Sequence, residues 1–191
     1  GTLYLGDRLF DGTTDFLRRV REKGGRYLFA TNNSSRSVTA YVERLRGMGI
    51  DAEAEDFLTS VDATVWYLRN HGFQDTLIYA SGTRTFQDQL RQAGFRVTDR
   101  REAGIGLLLH GFDTELTFQK LEDSCILLGD PKVDFIATNP DWVCPTAWGS
   151  VPDCGSVCEM LFRATGRRPK VIGKPEPEMA LLAMDRWGCS K

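Results

Sequence analysis

The chain has 191 residues, 24 basic and 26 acidic, with a net charge of −2 and 41% hydrophobic residues, enough to bury a sizeable core. So even a balance gives no global field to attract nucleic acid or an anionic membrane, and neither is expected as a partner. No apolar run approaches the roughly 20 residues of a membrane-spanning helix, and the N-terminus lacks the basic and apolar regions of a secretory signal, so the cytoplasm is the expected location.

The elements follow in chain order. Residues 27–30 are the first apolar run that reads as a strand. Val38, Tyr41, Val42, Leu45 and Met48 then fall at helical spacing before Gly49, and Val61, Val65 and Leu68 do so before Gly72. A strand at 77–80, a helix around Phe86, Leu90 and Ala93, a strand at 105–109, a helix over 116–128 and a strand at 135–137 come next. A helix over 156–164, a short strand at 171–172 and a helix over 178–187, entered through Pro175 and Pro177, complete the series. Several strands are apolar on both faces, so the alternation predicts an α/β fold with largely parallel strands. There is no repeat, low-complexity tract or flexible linker.

Five cysteines, Cys125, Cys144, Cys154, Cys158 and Cys189, are an odd number in a chain too long to need disulfide staples, which suits a reducing compartment. Cys144, Cys154 and Cys158 are near enough in sequence to raise a zinc site. There is no C-x-x-C pair, however, and the only histidines are His71 and His110, so buried thiols are the expected reading and no metal ligand is assigned. The chain opens with Gly1 rather than Met, as a piece of a longer protein would.

Two segments carry chemistry. In "RYLFATNNSSR" an apolar strand runs into Thr31, Asn32, Asn33, Ser34 and Ser35. Open α/β sheets bind ligands beyond the carboxyl ends of their strands, where loops lead into helix N-termini. A Thr31 hydroxyl, amide donors of Asn32 and Asn33 and backbone N–H groups would suit a phosphate there. The competing reading is structural, with Ser34, Ser35 or Ser37 capping the next helix and the asparagines forming an Asx turn. In "VIGKPEPEM" a short strand delivers Gly173 and Lys174, and Pro175 stops the ladder. Lys174 would then neutralise a carboxylate nucleophile and a phosphate oxygen, unless it is a surface lysine in a turn.

In order and spacing these segments resemble the haloacid dehalogenase (HAD) superfamily of phosphatases, in its NagD-like, p-nitrophenylphosphatase-like branch (subfamily IIA). "GTLYLGD" resembles the tail of the first motif, D-x-D-G-T, "ATNNSSR" the second and "IGKP" the third; "ATNPDWVCPTAWGSVPDCGS" is similar to a segment of this branch. The resemblance implies a Rossmann-like parallel-sheet core, residues 1–59 and 155–191, with an inserted α/β cap of C2 type at 60–154. It implies catalytic roles for Thr31 and Lys174 and phosphate binding by Gly1, Thr31, Asn32 and Lys174. Asn33, Ser34, Asn139 and Asp141 would contact substrate, with Trp142 in the same cap loop. The family attacks phosphorus with the first Asp of D-x-D, uses the second as general acid and base, and holds Mg²⁺ between these and a fourth acidic motif.

Gly1 falls just after the expected D-x-D, and the fourth motif normally follows a segment like "RWGCSK". The nucleophile and the Mg²⁺ ligands are therefore expected outside these 191 residues, leaving the piece itself inactive and poorly soluble. Two internal look-alikes, "LFDGTT" at Asp11 and "LGDPKVD" at Asp130 and Asp134, read as turns. The expected activity is Mg²⁺-dependent hydrolysis of a small phosphorylated metabolite, with a homodimer through the cap. Sugar phosphates, nucleoside monophosphates, phosphoglycolate and pyridoxal phosphate are substrates among relatives. The alternative is a non-catalytic phosphate- or nucleotide-binding protein. A dinucleotide enzyme is disfavoured, because Gly104 and Gly106 lack the rest of G-x-G-x-x-G.

Overall fold

The computed structural model describes residues 2–188. A hairpin of β1 (Tyr4–Leu5) and β2 (Arg8–Leu9) leads into α1 (Thr13–Glu22), β3 (Phe29–Thr31), α2 (Val38–Gly47) and β4 (Phe57–Thr59). Then come α3 (Ser60–Asn70), β5 (Leu77–Ser81), α4 (Arg84–Gln92), β6 (Arg96–Thr98), β7 (Ile105–His110), α5 (Phe118–Leu128) and β8 (Asp134–Ala137). The antiparallel hairpin β9 (Val143–Thr146) and β10 (Gly149–Pro152), α6 (Cys154–Thr165), β11 (Lys170–Val171) and α7 (Glu178–Trp187) follow. β3 and β4 pair in parallel, Thr31 opposite Thr59, while β11, β8, β7, β5 and β6 form, in that order, a five-stranded parallel sheet.

Period-two alternation explains how that sheet is buried on both faces. Ile78, Leu107, Leu109 and Ile136 point to one side, where Val61 and Leu68 of α3, Phe86 and Leu90 of α4, and Met179 and Leu182 of α7 cover them. Tyr79, Leu108 and Phe135 point to the other, under Leu127 and Leu128 of α5 and Val157 and Leu161 of α6. Each fully buried Leu or Phe here contributes about 1.5–3 kcal/mol. A third cluster, with Leu17, Tyr41, Leu45 and Phe57, fastens α1 and α2 to the β3–β4 pair. The starts of α2, α4 and α5 are capped by side chains, Ser37 accepting from Ala40 N–H, Thr83 from Phe86 N–H and Thr117 from Lys120 N–H. Thr59 and Asp62 form a reciprocal capping box on α3.

The packing suits a division of the chain other than one at residues 60 and 154. α3 packs on α7, β4 and α4 and follows β4 directly, with its Thr59 cap opposite Thr31. α6 packs on α5 and β8, and β11 is hydrogen-bonded to β8 with Lys170 opposite Ile136, so 155–171 goes with the five-stranded sheet. We therefore propose that the inserted cap begins between Asn70 and Leu77 and ends after Val171. Asp11 and Asp130 both occupy turns; the Asp130 carboxylate accepts from Lys132 N–H at 2.9 Å.

α6 starts against the β8–β9 loop with no space to spare. Gly155 N–H donates to Asp141 O at 2.8 Å, and a Cβ added at Gly155 would lie 2.2 Å from Pro140 O and 2.9 Å from Asp141 O. Both obstacles are backbone. Gly155→Ala should therefore lower the unfolding free energy by about 3 kcal/mol, the upper end for overpacking, measured as a shift in the urea midpoint. An unchanged midpoint would mean that this loop is not held where the structure puts it.

Candidate active site

The polar residues at the end of β3 do not all face a ligand. Asn32 is buried, and its side chain grips the backbone of Lys174 from both ends: Lys174 N–H donates to Asn32 Oδ1 at 2.9 Å, and Asn32 Nδ2 donates to Lys174 O at 2.9 Å. The same Nδ2 lies 3.1 and 3.2 Å from the two Asp141 carboxylate oxygens. Asn32 O accepts from Ser60 Oγ at 2.7 Å and from Asn139 Nδ2 at 2.9 Å. Gly173 leaves the room for this grip, since a Cβ there would meet Thr138 O at 2.5 Å and Asn32 Oδ1 at 2.8 Å.

These bonds bear on three expectations. The Asn32 amide is committed to Lys174 and Asp141, which suits its side chain to positioning Lys174 rather than to binding phosphate. Ser34 is fully buried, accepting from Phe112 N–H at 2.8 Å and from Thr138 Oγ1 at 3.2 Å, and thus has no surface to offer a substrate. Asn139 is likewise fully buried, its Oδ1 accepting from Asp141 N–H at 2.9 Å. Trp142, in the same loop, is 60% exposed. Gly1 lies outside the described residues.

Thr31, Asn33 and Asp141 do meet, in a cleft of about 670 Å³ that Arg36, Tyr41 and Asp153 also line and that the β1–β2 and β9–β10 hairpins flank. Thr31 Oγ1 accepts from Asn33 N–H at 3.2 Å; Asn33 Oδ1 accepts from Ser35 N–H and Ser35 Oγ, both at 2.8 Å. This is an Asx turn, and Ser37 is the helix cap, so the structural reading of the loop accounts for Asn33, Ser35 and Ser37. Lys174 is exposed beside the cleft, its Nζ donating at 3.1 Å to Ala30 O, one residue before Thr31. A main-chain carbonyl is a weak partner for an ammonium, one an anionic oxygen at Thr31 would displace. Arg36 and Tyr41 were not singled out from the sequence, although Arg36 ends the quoted segment and Tyr41 follows it on α2. Burial pushes the Tyr41 hydroxyl up to about 12, so it stays neutral beside Thr31.

Mg²⁺ takes oxygen ligands in an octahedron. Among the described residues no set of three carboxylates converges; His110, Cys154 and Cys158 form the only cluster of three metal-ligating side chains, and sulfur does not suit this ion. Among the described residues, then, no three-carboxylate cluster is available to Mg²⁺.

The comparisons with known proteins agree with this geometry. Residues 1–96 match the family model described as haloacid dehalogenase-like hydrolase. The acid sugar phosphatase of Staphylococcus aureus is 31% identical over 191 residues, all of this chain and 72% of that protein. A 4-nitrophenylphosphatase from Thermotoga maritima superposes with a TM-score of 0.90 at 33% identity, over 98% of this chain and 70% of the other. NagD from Escherichia coli K-12 gives 0.85 at 26% identity over 98% and 71%. A glycerol phosphate phosphatase from Mycobacterium tuberculosis, solved in complex with magnesium, gives 0.89 at 27% over 97% and 55%. The chain belongs to the haloacid dehalogenase-like hydrolases, in their NagD-like phosphatase branch.

Asp153, at the back of the cleft, titrates unusually. Burial raises its carboxyl to about 6, opposed by the hydrogen bond from Cys154 N–H at 2.6 Å and reinforced by the Asp141 charge. The folded protein therefore binds more protons than the unfolded chain between roughly pH 4 and pH 6, and this group's contribution to stability falls as pH rises through that window. Asp153→Asn keeps the helix cap and removes the buried charge. The variant should exceed the parent by about 2 kcal/mol above pH 7, the gain vanishing near pH 4. His110 titrates in the opposite sense but cancels in the difference between the two proteins. Urea unfolding across that range checks it; a pH-independent difference would contradict the assignment.

Proposed function

We propose that the protein is a Mg²⁺-dependent phosphatase of small-metabolite phosphomonoesters that works through an aspartyl-phosphate intermediate, with nucleophile and metal ligands supplied from outside the described residues. The observation that carries this reading is the Asn32 grip, which brings the Lys174 backbone to the end of the strand that presents Thr31. Membership of a phosphatase branch and the magnesium complex of the M. tuberculosis relative support the metal. Thr31 Oγ donates to a non-bridging phosphoryl oxygen. Lys174 Nζ leaves Ala30 O for a second oxygen and for the nucleophilic carboxylate, balancing the charge that builds on the transferring group. Asn33, Arg36 and Asp141 meet the leaving group, and the β9–β10 hairpin screens the cleft from water.

Free cysteines support a cytoplasmic location. Among the described residues no helix is long and apolar enough to cross a membrane. A homodimer through the cap is supported by the edge position of β6, which among the described residues has a neighbour on one side alone.

The test is turnover by the full-length protein on a panel of sugar phosphates, glycerol phosphate and p-nitrophenyl phosphate, with and without Mg²⁺. Hydrolysis should require the metal, and Lys174→Ala should cost about 10²–10³ in kcat, the scale of losing one charge-stabilising group. Phosphate binding by a protein that turns over none of the panel would favour the non-catalytic alternative.

A further inference from the structure

We propose that His110, Cys154 and Cys158 form a buried site for a thiolate-binding divalent cation, zinc or a chemically similar ion, that pins the start of α6 to the end of β7. His110 is the last residue of β7; Cys154 opens α6, and Cys158 lies one turn later on the same helix face. The histidine and Cys154 are fully buried and Cys158 is 6% exposed. One ring nitrogen and the two sulfurs lie within 4.8 Å of one another. A tetrahedral zinc with bonds of about 2.0–2.3 Å holds its ligand atoms roughly 3.4–3.8 Å apart, so small side-chain rotations would bring these three into coordination.

The second observation is the histidine itself. Neither ring nitrogen has a hydrogen-bond partner, in a core where an unmet polar group is costly. The neighbouring thiol does not relieve it: Cys154 Sγ lies 3.5 Å from His110 O and 4.0 Å from Thr138 Oγ1 instead.

Charge and atoms balance simply. A divalent cation displaces one proton from each thiol to solvent and takes the imidazole lone pair, leaving a neutral centre of two thiolates and one dication, suited to an apolar surround. Thiolate and imidazole select zinc-like ions over Mg²⁺. The fourth position is open to a water or to the Thr138 hydroxyl already against Cys154. Because Thr138 Oγ1 also donates to buried Ser34, the ion would stiffen the polar loop from behind. Its role is structural, and its test does not use turnover.

The full-length protein is purified from zinc-containing medium for metal analysis, then refolded with Co²⁺ and scanned for a thiolate-to-cobalt charge-transfer band. The proposal expects one equivalent of tightly held metal and a band that disappears in Cys154→Ala, Cys158→Ala and His110→Val but persists in Cys144→Ala and Cys125→Ala. A wild-type protein that folds in Co²⁺ without the band overturns it, as does a band that depends on Cys144 and not on Cys158. Should a core variant fail to fold, the wild type still decides: its thermal midpoint must rise when it is refolded with zinc rather than with a chelator, and an unchanged midpoint overturns the proposal.

Discussion

One buried amide, that of Asn32, holds together the parts of this molecule that its chemistry needs. Its side chain fixes the backbone on both sides of Lys174 and touches Asp141, while its own carbonyl accepts from Ser60 at the start of α3 and from Asn139 beyond β8. Segments far apart in sequence, after β3, β4, β8 and β11, thus meet within hydrogen-bonding distance of a single residue. Ser34 extends the knot to the end of β7 through Phe112 N–H and to Thr138. Networks of this kind are rigid when every member is satisfied and expensive to break when one is removed.

The knot explains why the loop after β3 is so polar. Two demands fall on consecutive residues: Thr31 and Asn33 line the cleft, whereas Ser34 is fully buried and Asn32, at the cleft wall, commits its amide to Lys174 and Asp141. A stretch that looks like one ligand-binding cluster therefore combines groups that line the cleft with groups that hold the fold together. The same division holds after β8, where Asn139 is buried and structural while Asp141 reaches the cleft. Asp153 completes the back wall with a carboxyl that burial keeps easy to protonate.

The strands and helices with a clear apolar period were legible in the sequence, down to the bounds of α7 at Glu178 and Trp187. The exceptions have physical reasons. α1 buries just Thr13 and Leu17 and leaves Phe16 61% exposed, so its apolar stripe is short and easily missed. β4 is three residues long, and β9 and β10 are held by pairing with each other rather than by apolar alternation. In the site, residue types announced a phosphate loop and a lysine at a strand end, and the fold does bring Lys174 to β3. Which asparagine faces inward, and that His110 ends its strand beside two cysteines, depends on contacts across more than forty residues of sequence that no local pattern encodes. The β11–β8 pairing is of the same long-range kind.

The most direct test of the account is a double-mutant cycle on inorganic phosphate binding by the full-length protein, with Asn32→Ala, Lys174→Ala and the pair, read by calorimetry. If Asn32 acts by placing Lys174, each single change weakens binding and the double change is hardly worse than Lys174→Ala alone, a coupling of about 1 kcal/mol or more. Additive losses, or an Asn32→Ala protein that binds phosphate as the parent does, would contradict it.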